Sequence, residues 1–137
     1  PAPEALEFFL AEPGVEASVA LWDRIDLAVV GIGLPYGLDR PVQGATGVGD
    51  PDLAEAAGDV VRHYFDASGK ILHWRGEGAM IAVSVTQLRR APLVIGVAVG
   101  EAKVPSIIGA AKAGLISGLL TDTRTAEAVL DALARQG

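Results

Sequence analysis

Four charged residues stand where apolar runs stop: Asp59, Glu101, Lys103 and Asp122. A fifth, Arg40, lies in a loop rich in glycine and proline. A helical pattern begins at Lys103, so an ammonium and the free N–H groups of a helix start could converge on one anion. A carboxylate such as Asp59 would accept hydrogen bonds from sugar hydroxyls. Together these groups suit a sugar phosphate. Each also has a plainer reading. Lys103 could pair with Glu101 in solvent, Asp122 could be a helix cap, Asp59 a turn carboxylate, and Arg40 a solvated surface arginine. Gly31 and Gly33 flank Ile32 at the end of an apolar run, where they permit a tight turn and close backbone approach to a ligand.

Other chemistries lack their residues. The 137-residue chain has no cysteine, which removes disulfides and thiolate catalysis. His63 and His73 have no further ligand at metal spacing, so no metal or other cofactor is expected. No nucleophile elbow or Walker loop occurs. Pro35-Tyr36-Gly37 does not supply the third glycine of a dinucleotide fingerprint. Proton transfer by Asp59 or Glu101 stays open, since an isomerase needs little more than one positioned carboxylate and an anion clamp. The net charge of −6 and pI near 4.8 argue against a phosphate-backbone grip by this segment. The longest apolar stretches run to about ten residues, too short to span a membrane. The first residues carry Glu4, Glu7 and Glu12 and no basic signal-peptide start, so a cytoplasmic protein is expected.

The elements that must position these residues alternate. Residues 3–12 and 15–23 read as two short helices separated by Pro13-Gly14, with Leu6, Phe9 and Leu10 on one face of the first. Residues 26–32, DLAVVGI, form the first clear strand. The segment 34–51 is a long loop, a kind that is usually functional. A helical turn at 52–57 precedes a strand at 60–65. A turn at Asp66-Ala67-Ser68-Gly69 sends the chain back through a strand at 70–74. A short helix at 85–90 leads to LVIGVAVGEAK at 93–103, a buried strand that ends in charge. The next helix runs to about Ala113, with Val104, Ile107, Ile108, Ala111 and Leu115 on one face and Gly114 at its end. A strand at 115–120 and a helix at 123–135 close the chain, the helix with an apolar stripe of Ala126, Val129, Leu130 and Leu133. The last two strands, joined through a helix, should be parallel with a right-handed crossover. The fold class is therefore α/β: a Rossmann-like, mostly parallel sheet with flanking helices and a small antiparallel hairpin. Ligands in such sheets sit outside the carboxyl ends of the strands.

The series DLAVVGIG (26–33), GD…YFDASG (58–69), LRRAPLVIGVAVGEAK (88–103) and GLISGLLTDTRTA (114–126) resembles the sugar-binding effector domain of SorC-type, DeoR-like bacterial transcriptional regulators. The resemblance spans most of the chain in the right order. It implies a sugar or sugar phosphate as effector, no catalysis, homo-oligomeric assembly, and operator DNA as the final partner. By position it points to Arg40, Asp59 and Lys103 as effector contacts, with Gly31, Gly33 and Glu101 lining the site. It further implies that residues 1–137 are the C-terminal part of one effector domain. The helix-turn-helix module and the first part of that domain would then lie outside the chain. A missing strand would leave an open sheet edge, which favours self-association. The family's glycine pair is reduced here to Val99-Gly100. A sugar-phosphate isomerase or deaminase of similar fold is the alternative.

Overall fold

The computed structural model describes residues 3–34 and 50–137. Two helices open it, α1 (Pro3–Leu10) and α2 (Pro13–Leu21), the second continued by a 3-10 turn at Trp22–Arg24. They are followed by β1 (Leu27–Gly31), β2 (Gly58–Val60), β3 (His63–Phe65) and β4 (Ile71–Leu72). Then come α3 (Val85–Arg90), β5 (Leu93–Val97), α4 (Val104–Lys112), β6 (Gly118–Leu120) and α5 (Thr123–Gln136).

The strands form two three-stranded sheets, one parallel in the order β1-β5-β6 and one antiparallel in the order β2-β3-β4. The expected α/β class, with parallel strands flanking α4 and a hairpin turn at 66–69, is thus observed. In that turn the Asp66 carboxylate accepts from the Ser68 hydroxyl at 2.6 Å and from the Ser68 and Lys70 N–H groups at 2.8 and 3.0 Å. These bonds, the Ser68 hydroxyl first, hold the Asp66 carboxyl below its ordinary pKa.

α4 is the hub. Ser106, Ile107, Ile108, Gly109 and Ala110 are all buried, because α4 lies against β2 as well as α5. The largest core side chains are Phe65, Leu53, Leu88, Ile107 and Leu115, each fully buried. Phe65 reaches α4 because position 109 is glycine: a Cβ there would stand 2.8 Å from the Phe65 ring. Pro105 opens α4 where no N–H is needed, and Gly114 closes it at φ +70°, a left-handed conformation that glycine adopts without steric cost. α3 starts on a capping box that Ser84 and Gln87 build reciprocally.

Three expectations fail. The strand read across 60–65 is two strands, because the chain reverses at Val61-Arg62 between the paired residues Val60 and His63. Both turn residues have positive φ, 51° and 62°. This is the primed hairpin geometry that normally selects Asn or Gly, and neither is present to announce it. The strand read at 70–74 shrinks to Ile71–Leu72. The stripe on α5 is only partly used: Val129 is buried, whereas Leu130 and Leu133 are 66% and 42% exposed.

Among the described residues the parallel sheet is covered on one face only. Val94, Gly96 and Ala98 are buried on the face toward α4. The opposite face presents Leu27, Val29, Leu93, Val97 and Leu120, aligned by the strand register and all exposed. Parallel sheets are ordinarily covered on both faces. Among the described residues β1 and β6 each pair with β5 alone and form the two edges.

Candidate functional site

The carboxyl end of β1 gathers three of the expected residues. The chain leaves the strand through Ile32, Gly33 and Leu34. The Ile32 carbonyl accepts a hydrogen bond from Lys103 Nζ at 2.6 Å, and the Gly33 N–H donates to the Asp59 carbonyl at 2.8 Å. The Asp59 carboxylate lies across the Cα of Gly33, so a Cβ at that position would run into Asp59 Oδ1. Glycine at this position leaves room for the Asp59 carboxylate to lie where it does. Asp59 Oδ2 accepts from the Arg62 N–H at 3.0 Å. Lys103 and Asp59 are both half-buried. An ammonium carries three donors, and among the described residues Ile32 takes one of them, leaving two for an anion or a hydroxyl.

The geometry is rigid behind these groups. Ser106, fully buried in α4, donates its hydroxyl to the Ala57 carbonyl at 2.8 Å, just ahead of β2. A Cβ at Gly58 would stand 2.7 Å from the Ser106 Cβ and 2.8 Å from the Gly33 carbonyl oxygen. The β1 end, β2 and α4 therefore meet through two glycines, and this is what carries Asp59 to Gly33.

Glu101 goes elsewhere. Its carboxylate accepts from Arg124 Nε at 2.9 Å, and both side chains are largely exposed. The solvent pairing of Glu101 with Lys103 is thereby corrected: Lys103 turns to the β1 end and Glu101 to α5. Glu101, Arg124, Gly100, Asp122 and Thr125 line a cleft of about 320 Å³ at the carboxyl ends of β5 and β6. Gly31 is the last residue of β1, in register with Val97, with open space where a Cβ would stand. Arg40 falls outside the described residues.

The helix-start contribution is smaller than the sequence suggests. A 3-10 turn at Glu101–Lys103 precedes α4. The Lys103 N–H bonds to the Gly100 carbonyl and the Val104 N–H to the Glu101 carbonyl. Pro105 has no N–H. The ammonium, rather than a ring of backbone donors, is what this corner offers to an anion. Asp122 is the expected cap: its carboxylate accepts from the Thr125 N–H at 2.8 Å. Bonds from the Thr125 hydroxyl and N–H hold its carboxyl below the ordinary pKa.

The two histidines lie apart in role. His63 is buried and its Nε2 donates to the Val83 carbonyl at 2.7 Å, while exposed His73 meets Glu77 at 2.8 Å. Arg62 escaped the sequence reading. Its guanidinium lies 4.8 Å from the centroid of the buried Trp74 ring, against whose other neighbour, Tyr64, the indole is packed edge-on. Only the alternation of a strand was visible at Arg62, and that alternation was misleading.

Comparison with known proteins now adds to this geometry. Residues 2–131 match the family described as "Putative sugar-binding domain". The chain is 32% identical over 113 residues to the sorbitol operon regulator of Klebsiella pneumoniae, covering 80% of this chain and 36% of that protein. It is 33% identical over 135 residues to the erythritol catabolism regulatory protein EryD of Brucella abortus, covering 93% and 41%. The crystal structure of the full-length sorbitol operon regulator SorC from K. pneumoniae superposes with a TM-score of 0.83 at 28% identity, over 93% of this chain and 42% of that one. The chain thus spans about two fifths of the length of these relatives. With its mixed α/β fold, its parallel sheet and its small antiparallel sheet, the chain belongs to the sugar-binding domain family of SorC/DeoR-type transcriptional regulators.

Proposed function

We propose that this chain is the effector-binding domain of a sugar-responsive transcription regulator and that it takes a sugar or sugar phosphate at the Gly33–Asp59–Lys103 corner. The observation that carries the reading is the Lys103 ammonium seated at the carboxyl end of β1, beside the glycine on which the Asp59 carboxylate rests. In this reading Asp59 accepts hydrogen bonds from sugar hydroxyls and Lys103 meets a phosphate or a further hydroxyl. Gly33 keeps the backbone low enough for both. Arg40 is the second cation and Gly31 lies at the margin of the site, while Glu101, turned to Arg124, is not assigned to this corner. Binding alters the grip of a helix-turn-helix module on operator DNA, in a cytoplasmic homo-oligomer. Among the described residues no helix is long and apolar enough to cross a membrane.

The reading is of binding without turnover. An isomerase of similar fold would need a carboxylate free to move a proton, whereas Asp59 already accepts from the Arg62 N–H and Glu101 is engaged with Arg124. Calorimetric titration with a panel of sugar phosphates, sorbitol 6-phosphate first, tests the assignment. Lys103→Met should weaken binding at least about tenfold, the usual loss for a hydrogen bond to a charged group. Asp59→Asn should weaken free and phosphorylated sugars alike. Unchanged binding in both variants would place the effector elsewhere, and conversion of the sugar would establish the isomerase.

A further inference from the structure

We propose that Thr125 is a positioning residue: its buried hydroxyl holds the turn after β5 so that the Lys103 ammonium stands at the end of β1. The inference rests on the reading of Lys103 as an effector contact for its meaning, but its geometry is independent of that reading.

Thr125 is 1% exposed, in the first turn of α5. Its backbone N–H already has a partner in the Asp122 carboxylate at 2.8 Å, so the helix start is capped without the hydroxyl. The hydroxyl does something else. Thr125 Oγ1 accepts the Gly100 N–H at 2.8 Å, across 25 residues of chain. The Gly100 carbonyl in turn accepts the Lys103 N–H at 3.0 Å. Asp122, Thr125, Gly100 and the Lys103 backbone are thus joined by consecutive hydrogen bonds, and the side chain of Lys103 then spans to Ile32.

Gly100 shows that this turn is held in a set conformation. It adopts φ 114°, ψ 146°, a region essentially confined to glycine. A Cβ there would meet nothing within 4 Å, so the backbone conformation and not space demands glycine. The other link between the turn and α5, Arg124 to Glu101, is an exposed ion pair of the kind that contributes little. The buried hydroxyl is therefore the element able to hold the turn in that conformation.

Pulse acetylation of the 137-residue chain with acetic anhydride, read by peptide mass spectrometry, tests this. Thr125→Val keeps the shape and removes the hydroxyl. Lys103 should then acetylate roughly fivefold faster, the weight of one net hydrogen bond, while the exposed Lys70 keeps its rate. Thr125→Ser should restore protection. Gly100→Ala, which strains the turn without entering the core, should expose Lys103 in the same way. An unchanged Lys103 rate in Thr125→Val and Gly100→Ala overturns the proposal, as does a rise shared equally by Lys70, which would mean general opening. The two readings separate in a second titration. If Lys103→Met leaves sorbitol 6-phosphate binding intact while Thr125→Val still exposes Lys103, the positioning stands and the effector reading falls. If Lys103→Met weakens binding and Thr125→Val weakens it further in that background, Thr125 acts by another route and the positioning falls.

Discussion

The two sheets of this domain solve opposite problems. The parallel sheet β1-β5-β6 is built from apolar residues with ordinary backbones, yet it leaves one apolar face open. Leu27, Val29 and Leu120 on that face are 56%, 65% and 61% exposed. The antiparallel sheet β2-β3-β4 has strands of only three, three and two residues. It nonetheless buries Val60 and Phe65 completely and tolerates two non-glycine residues at positive φ. A β-branched residue such as Val61 in that region is strained. The contrast teaches that strand length does not set burial: the short hairpin and the inner face of the longer parallel sheet feed one core around α4.

Four changes would break or sharpen this contrast. The largest effect is expected from Phe65→Ala, which empties the contact with Gly109 of α4; a loss of about 3–5 kcal/mol should appear in urea unfolding. A loss below about 1 kcal/mol would mean that the hairpin is not part of the cooperative core. The double replacement Val61→Asn with Arg62→Gly should raise stability by about 1 kcal/mol, because it installs the residues that a primed turn prefers. A fall instead would show that the Arg62–Trp74 stack outweighs the strain. Val29→Thr on the open face should change stability by no more than about 0.5 kcal/mol. A larger, concentration-dependent loss would reveal that the face is covered by a second copy in solution, in line with the self-association expected from open edges.

The fourth change is in pH. The Asp66 carboxyl has its folded pKa lowered, first by the Ser68 hydroxyl and then by backbone N–H groups. Asp122 is lowered by Thr125. A lowered folded value means that the stabilisation is present above the unfolded carboxylate value, near pH 4, and is lost as the pH falls through the folded one. Unfolding midpoints should therefore drop on acidification below about pH 4, and the double variant Asp66→Asn with Asp122→Asn should flatten that limb. Asp122 is exposed and Asp66 only half-buried, so this effect is the smallest of the four. An undiminished acid limb would assign it to other carboxylates.

The parts of the fold that were legible in the sequence are those where apolar residues run without interruption. LVIGV reads as a strand and VPSIIGAAK as a helix between proline and glycine, although the burial expected along the whole strand is met on one face only, with Leu93 and Val97 exposed. Asp122 was legible as a cap because local chemistry suffices there. The turn at Val61-Arg62 was not, since its residues contradict their own backbone; the buried Val60 and His63 on either side and the bond from the Arg62 N–H to Asp59 hold it. In the site, Lys103 and Asp59 could be placed at strand ends, and Gly33 beside them. The partner of Glu101 could not be read, because Arg124 is brought to it by the crossover of α4 and β6. Thr125 was invisible for a related reason: the cap explained the helix start, and nothing in the order of residues announces a bond from Gly100.

The stacking of Arg62 on Trp74 has one more consequence. The chain contains two tryptophans. Trp74 is 6% exposed beneath a guanidinium and beside Tyr64, while Trp22 lies in the 3-10 turn after α2. Replacing Trp22 with phenylalanine would leave a single indole whose emission reports on the antiparallel sheet alone. That emission should be blue-shifted at rest and move to the red when the Val61-Arg62 turn opens. The molecule therefore carries its own optical gauge of the element next to Asp59, readable without any added label.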